Sequence, residues 1–198
     1  MKQIRLANVK DAAGILNIYA PYIQNTSLTF ETEIPELIAF EERIKTYLIT
    51  WPWLVCEMDN EIAGYAYASR YRERGGYQWC VEVSVYISDK YQRTGIAKAL
   101  YIALLEILKK QGFRNAYAVI NLPNEKSVSF HERLGFNYFA TYENVGYKLG
   151  KWKKVGWWLK QLNEYSHEPP PPVKFSDLEK GFLPGLFREA MKWLKSEN

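Results

Sequence analysis

Along this chain the spacing of apolar residues switches repeatedly between the period of a helix and that of a strand. Ile4 to Leu6 suit a short first strand, and Asn8 then offers an N-cap to a helix with Ile15, Ile18, Tyr19, Tyr22 and Ile23 on one face. Pro21 is expected to end or bend that helix, because proline lacks the N–H that continues the ladder. After a loop through residues 26–30, a second helix is expected near Pro35, with Leu37, Phe40, Ile44, Tyr47 and Leu48 on one side. The period then changes: residues 53–57 and 62–69 flank Asp59-Asn60 and read as an antiparallel hairpin. A turn at Gly75-Gly76 precedes a strand-like run over residues 79–88.

Gly95 opens the main helix, whose stripe runs Ile96, Ala99, Leu100, Ala103, Leu104, Ile107 and Leu108, and Gly112 closes it. Residues 116–120 form the next strand, and Asn124 caps a short helix that Gly135 ends. Two last strands are expected around residues 136–143 and 155–162. The order β-α-α-β-β-β-α-β-α-β-β predicts an α/β fold of the α+β kind, a central mixed sheet flanked by helices. After Tyr165 the run Ser-His-Glu-Pro-Pro-Pro-Pro reads as a stiff extended linker. Beyond it Leu186, Phe187, Ala190, Met191 and Leu194 make one face of a short helix, expected to dock on its own domain or on a dimer mate. The division is therefore a domain over residues 1–165 and a proline-rich linker with an amphipathic helix over 166–198.

Composition narrows the function without naming it. The 198 residues are 47% hydrophobic and 16% aromatic, enough for a full core. A net charge of +4 is carried by scattered lysines and arginines, which suits a small anionic ligand better than nucleic acid. Cys56 and Cys80 lie in apolar runs without CxxC or histidine-rich company, so they read as buried, reduced thiols, and no metal site is expected. The first residues carry no apolar signal region and no stretch is long enough to span a membrane, so a cytoplasmic protein is expected.

The chemistry concentrates in the strand, turn and helix that run from Trp79 to Leu108. Backbone N–H groups in a glycine-containing turn, followed by the unpaired donors and positive dipole of a helix start, suit a pyrophosphate. Neither a full Walker sequence nor GxGxxG is present; what stands here is Gln92-Arg93-Thr94-Gly95-Ile96-Ala97. By itself this six-residue pattern is only moderately specific. Upstream, Glu82 shares a strand face with Cys80, Ser84 and Tyr86, while Val81, Val83, Val85 and Ile87 fill the other.

With its neighbours the motif resembles the GCN5-related N-acetyltransferases (GNAT). Within them it is similar to the phosphinothricin and methionine sulfoximine acetyltransferases over most of residues 3–160. The separated blocks that carry the likeness include Trp53-Leu-Val, Ala63-Gly-Tyr-Ala-Tyr-Ala68, Tyr77-Gln-Trp-Cys-Val-Glu82 and Gln92-Arg-Thr-Gly95, then Leu122-Pro-Asn124, Ser127-Val128, His131-Glu132 and Leu134-Gly135. The resemblance implies the GNAT acyl-CoA N-acyltransferase fold, acetyl-CoA as cosubstrate, a small-molecule amine acceptor and a homodimer with the late strands near its interface. It implies that Gln92, Arg93, Thr94, Gly95, Ile96, Ala97 and Lys98 hold the cofactor's pyrophosphate. Val85, Tyr86 and Ile87 would pair with its pantetheine arm, with Asn124 and Ser127 as further contacts.

Acetyl transfer from a thioester needs an unprotonated amine, and a positioned base contributes roughly 10² to 10⁴ in rate. Glu82 is the candidate base, since partial burial raises a carboxylate toward neutrality; a strand carboxylate can also simply pair with Arg72 or Arg74. His131, one of two histidines, is usually structural in such a helix. The resemblance makes it the second catalytic group, a base or a donor to the leaving thiolate. Arg72 and Arg74 match a basic pair that holds the acceptor's acidic groups, with Phe30 and Tyr77 lining the pocket. Without the resemblance the two arginines read equally as an exposed turn. Glu31 stands where the herbicide-resistance enzymes tend to carry Arg, which sets phosphinothricin apart from the other acceptors. Alternative acceptors are a polyamine or a protein N-terminus, and the non-enzymatic alternative is an acyl-CoA-binding interaction protein.

Overall fold

The computed structural model describes residues 2–195; Met1 and residues 196–198, the ends of the two expected segments, lie outside them. Strand β1 (Lys2–Leu6) leads through a 3-10 turn into helix α1 (Ala12–Asn25), and α2 (Leu37–Thr50) follows. Then come β2 (Trp53–Met58), β3 (Glu61–Arg70), β4 (Cys80–Ile87) and α3 (Ile96–Gln111). The chain continues through β5 (Asn115–Leu122), α4 (Glu125–Arg133), β6 (Asn137–Lys148), β7 (Lys151–Gln161) and α5 (Leu183–Met191). The strands make one seven-stranded sheet in the order β1-β2-β3-β4-β5-β7-β6. Only β4 and β5 run parallel, so the sheet is mixed as expected. No helix among the described residues is long and apolar enough to cross a membrane.

Local chemistry explains most element ends. The Asn8 side chain accepts from Lys10 N–H while the Asp11 carboxylate accepts from Asn8 N–H, a reciprocal cap that Arg5 reinforces by donating to both Asp11 oxygens at 2.7 and 2.8 Å. Asp59 and Asn60, at φ of 50° and 67°, make the left-handed pair that a two-residue hairpin needs. Gly112, at φ 92°, lets its own N–H reach back to the carbonyls of Leu108 and Lys109 and ends α3.

The sheet has two apolar faces. On one, α3 buries its whole predicted stripe against Val81, Val83, Ala116 and Ala118, with Phe136 and Trp158 beside it. On the other, Ile15, Ile18, Tyr19 and Ile23 of α1 and Phe40 and Ile44 of α2 pack on Trp53, Val55 and Tyr65. Each fully buried leucine of α3 is worth roughly 2 to 5 kcal/mol against alanine, so this helix fixes what stands at its N-terminus.

Two expectations need correction. Helix α1 runs through Pro21 to Asn25. Pro21 and Asn17, the residue whose carbonyl it leaves without its helical donor, are both exposed, so the helix loses one bond at its solvent face and is not ended there. The last two strands are longer than expected and meet at Leu149-Gly150, both with positive φ. Register breaks at Tyr138/Ala140 and Tyr142/Gly146 scramble the alternation that would have revealed β6. The tail helix docks on its own domain, one of the two placements expected: Phe175, Leu183 and Ala190 are buried in the main core, and Gln111 bonds the Val173 carbonyl at 2.7 Å.

Candidate active site

Strand β4 pairs with β3 from Val81 to Ile87, but with β5 only over residues 80–82. Past Glu82 the two parallel strands part, while β5 stays paired with β7 along its whole length from Asn115 to Leu122. The gap opens a cleft of about 1080 Å³. Residues 83–87 of β4 form one wall, residues 118–121 of β5 the other, the 92–98 turn one end, and Asn124, Ser127 and His131 of α4 a side.

The turn is built to present N–H groups. Arg93 (φ 64°) and Gly95 (φ 89°) both adopt left-handed backbone, and the Thr94 hydroxyl ties the loop by donating to the Tyr91 carbonyl at 2.6 Å. The Gln92 amide holds Asp89 at 2.7 Å. The first α3 bond runs from Ala99 N–H to the Gly95 carbonyl, so the N–H groups of Ile96, Ala97 and Lys98 have no acceptor within the helix. The first turn carries no acidic side chain, so the positive end of the dipole is left for a ligand. Along the wall Val85, Tyr86 and Ile87 follow; the Ile87 carbonyl is taken by the Tyr22 hydroxyl at 2.7 Å.

On α4 the Asn124 side chain accepts from Ser127 N–H at 3.2 Å and starts the helix. His131 is buried, with Nδ1 2.8 Å from the Ser127 carbonyl oxygen. A carbonyl only accepts, so Nδ1 carries the proton. Burial lowers the pKa of the ring, which leaves Nε2 unprotonated and able to accept from the Tyr101 hydroxyl 3.1 Å away. That hydroxyl is also 3.2 Å from the Val83 carbonyl. The single Tyr101 proton can go to His131 Nε2 or to the Val83 carbonyl but not to both at once, so the hydroxyl stands between two competing acceptors.

Glu82 stands on the opposite face of the sheet. Its register partners are Ser69 on β3 and Tyr117 on β5, so its side chain shares their side, whereas Val83 and Tyr101 belong to the α3 side. His131 and Glu82 therefore lie on opposite sides of β4, at the point where the sheet opens. Around Glu82, Tyr71 stacks on Tyr117 at 4.3 Å, and Trp157 meets both rings edge-on. Burial raises the Glu82 carboxyl from an ordinary 4.5 to about 7, with Arg72 pulling the other way. Arg72 is close enough to be felt but forms no ion pair with it; its guanidinium lies over the Tyr71 ring at 5.1 Å.

The expected acceptor residues are brought together only in part. Tyr77 meets Tyr71 edge-on at 5.8 Å and so joins the Glu82 group with Arg72. Arg74 is exposed at the start of the 3-10 turn over Gly75–Tyr77. Phe30 lies over Gly146 of β6. Glu31 is matched by Arg43 at 2.7 Å and the Tyr19 hydroxyl at 3.1 Å, so its reversed charge does not stand alone in the loop. The buried Lys148 amine donates to the Thr29 carbonyl at 2.8 Å and pins that loop to β6.

Four residues at the site escape a reading of the sequence. Tyr101 and Arg43 sit in amphipathic helices where they look like core edge and solvent face. Lys148 lies in the strand whose alternation is broken. Asn121 lines the cleft, is 8% exposed, and its amide nitrogen has no partner. A polar residue in the apolar run of β5 was its only signal.

Residues 4–157 match the family described as an acetyltransferase (GNAT) domain. A phosphinothricin N-acetyltransferase of Streptomyces viridochromogenes is 37% identical over 172 residues, 87% of this chain and 93% of that protein. A methionine sulfoximine/methionine sulfone acetyltransferase of Pseudomonas paraeruginosa is 34% identical, covering 75% of this chain and 88% of its own length. Among solved structures, a GNAT superfamily phosphinothricin acetyltransferase from Sinorhizobium meliloti, in complex with acetyl-CoA, superimposes with a TM-score of 0.80 at 28% identity over 88% of this chain and 98% of that one.

Proposed function

The chain belongs to the GNAT acetyltransferase family, and on that premise we propose that it transfers acetyl from acetyl-CoA to the amine of a small amino-acid-like substrate. The observation that carries this reading is the parting of β4 from β5 directly after a half-buried carboxylate whose pKa is lifted to about 7. A base needs to be ionised at working pH yet basic enough to take a proton, and a pKa near neutrality meets both demands.

In this reading Glu82 takes a proton from the acceptor's ammonium group. The freed lone pair attacks the thioester carbonyl, the N–C bond forms, the C–S bond breaks, and the nitrogen's second proton leaves through water to restore the group that protonates the thiolate. Backbone N–H groups along β4 stabilise the oxyanion, and the departing thiolate takes up a proton from the Tyr101–His131 side of the cleft. The pyrophosphate rests on the N–H groups of residues 92–98, with Lys98 adding charge; Val85 and Tyr86 face the pantetheine arm, with Asn124 and Ser127 beside it. Ile87 fits less well as a backbone partner, because Tyr22 already holds its carbonyl.

Arg72 and Tyr77 are the acceptor-binding residues with most support, since both adjoin Tyr71 near Glu82. A guanidinium there favours an acceptor carrying a carboxylate and disfavours a polyamine. Arg74 and Phe30 are assigned to the outer part of that pocket. The names of the relatives make phosphinothricin, methionine sulfoximine and methionine sulfone the first acceptors to try. The pairing of Glu31 with Arg43 removes the simplest electrostatic objection to phosphinothricin.

We assign residues 1–165 to the acetyltransferase domain and the remainder to an extension of it. Tyr138, Phe139, Tyr142, Val145, Tyr147 and Trp152 leave an exposed apolar surface on the β6–β7 hairpin, which supports a homodimer. Two free cysteines suit a reducing compartment such as the cytoplasm. A thiol-release screen with acetyl-CoA tests the reading. Release with the amino-acid analogues supports it; release only with spermidine or an N-terminal peptide, or with no amine at all, refutes it.

A further inference from the structure

The chain after residue 165 lies outside the matched family region, yet its residues 193–195 lie against the phosphate turn. The extended segment is anchored by Trp79 Nε1–H donating to the Pro170 carbonyl at 2.8 Å and by a two-way backbone and side-chain link between Gln111 and Val173. Helix α5 then crosses α3 and β1 with Leu183 and Ala190 buried. Its end leads residues 192–195 to the start of α3.

Three contacts join the tail to the turn. The N–H of Lys195 donates to the Thr94 carbonyl at 2.9 Å. The Trp193 carbonyl sits so close to Gly95 that any Cβ there would collide with it. The Lys98 ammonium lies 3.2 Å from the centroid of the Trp193 ring. A cation in the first turn of a helix is opposed by the dipole, and the aromatic face offsets that opposition while holding the charge at the cleft. Lys195 borders both the main cleft and an adjoining recess of about 490 Å³, where Arg93 and Thr94 also line both.

Resting on the acetyl-CoA reading above, we propose that the C-terminal extension is part of the cofactor site: Trp193 positions Lys98 and the turn, and Lys195 supplies a cation to the phosphates of coenzyme A. The tail is therefore a positioning and binding element for the anionic end of the cosubstrate. Trp193 lines neither cavity, so it acts through Lys98 and Gly95, whereas Lys195 meets the ligand directly.

The test is titration of the full chain with coenzyme A by calorimetry, with steady-state kinetics for acetyl-CoA alongside. Lys195→Glu should weaken coenzyme A binding about tenfold and flatten the dependence of Kd on salt, while the equal charge change Lys45→Glu on α2, whose partner is Glu42, leaves both unaltered. Trp193→Ala should raise KM for acetyl-CoA roughly threefold to tenfold with kcat within about twofold, and Trp193→Phe should restore most of the loss. Should Trp193→Ala unfold, the exposed Lys195 still decides the matter. Wild-type binding with Lys195→Glu unchanged, or a Trp193→Ala defect in kcat alone, overturns the proposal and leaves the acetyltransferase reading standing. A wild-type chain that binds no coenzyme A overturns both.

Discussion

Replacing Glu82 by Gln should make the protein a much poorer catalyst and a more stable fold, and the two effects have one cause. The native carboxyl titrates at about 7, against 4.5 for an ordinary glutamic acid, because burial disfavours its charged form. Between those two values the unfolded chain binds fewer protons than the folded one, so stability falls as pH rises through the window and the deficit is complete above it. A lift of this size corresponds to roughly 3 kcal/mol, and residual solvent contact reduces the expected deficit to roughly 2 kcal/mol. Glutamine has no charge to bury. By urea denaturation the variant should therefore match wild type below about pH 4, fall progressively ahead of it as pH rises, and exceed it by roughly 2 kcal/mol near pH 8. In kcat/KM it should lose about 10² to 10⁴, the contribution of a positioned base, or roughly 3 to 5 kcal/mol of transition-state stabilisation. The wild-type profile should rise tenfold per pH unit below about 7, and that acid limb should vanish in the variant. An acid limb retained by Glu82→Gln, together with unaltered stability at high pH, would refute the assignment.

Arg72→Gln removes the field that opposes burial at Glu82, so the acid limb should move to higher pH and KM for the acceptor should rise; a limb that stays in place would mean Arg72 does not act on Glu82. Gly95→Ala forces a side chain into left-handed backbone facing the Trp193 carbonyl, with an expected loss of at least ~1–2 kcal/mol and a raised KM for acetyl-CoA. Wild-type stability in that variant, by thermal melting, would contradict the strain. Tyr101→Phe removes the one donor that His131 Nε2 and the Val83 carbonyl share, and kcat should fall about tenfold, the worth of one buried hydrogen bond. An unchanged kcat would remove the Tyr101–His131 pair from the proton path.

What could be read from the sequence was governed by local chemistry. The α3 stripe, the Gly95 and Gly112 ends, the Asp59-Asn60 turn and the Asn8 and Asn124 caps each depend on residues a few positions apart. So does the strand alternation that sets Glu82 apart from Val81 and Val83. Pro21 misled because its cost depends on solvent reaching Asn17, a tertiary fact. Strand β6 was obscured by two register breaks, each of which turns the side chains beyond it to the other face. The separation of Glu82 from His131, the pairing of Glu31 with Arg43 and the seating of Trp193 on Gly95 all join residues far apart in the chain, and no spacing rule reports on such contacts.

The most direct test is to supply acetyl-CoA carrying a 13C-labelled acetyl group with methionine sulfoximine, and to follow the amine by NMR at neutral pH. Label on the α-nitrogen, with one coenzyme A thiol released per acetyl transferred and no label left on the protein, is the predicted result. Thiol release without an acetylated amine, or label that remains on the protein, would contradict direct transfer to an amino-acid-like acceptor.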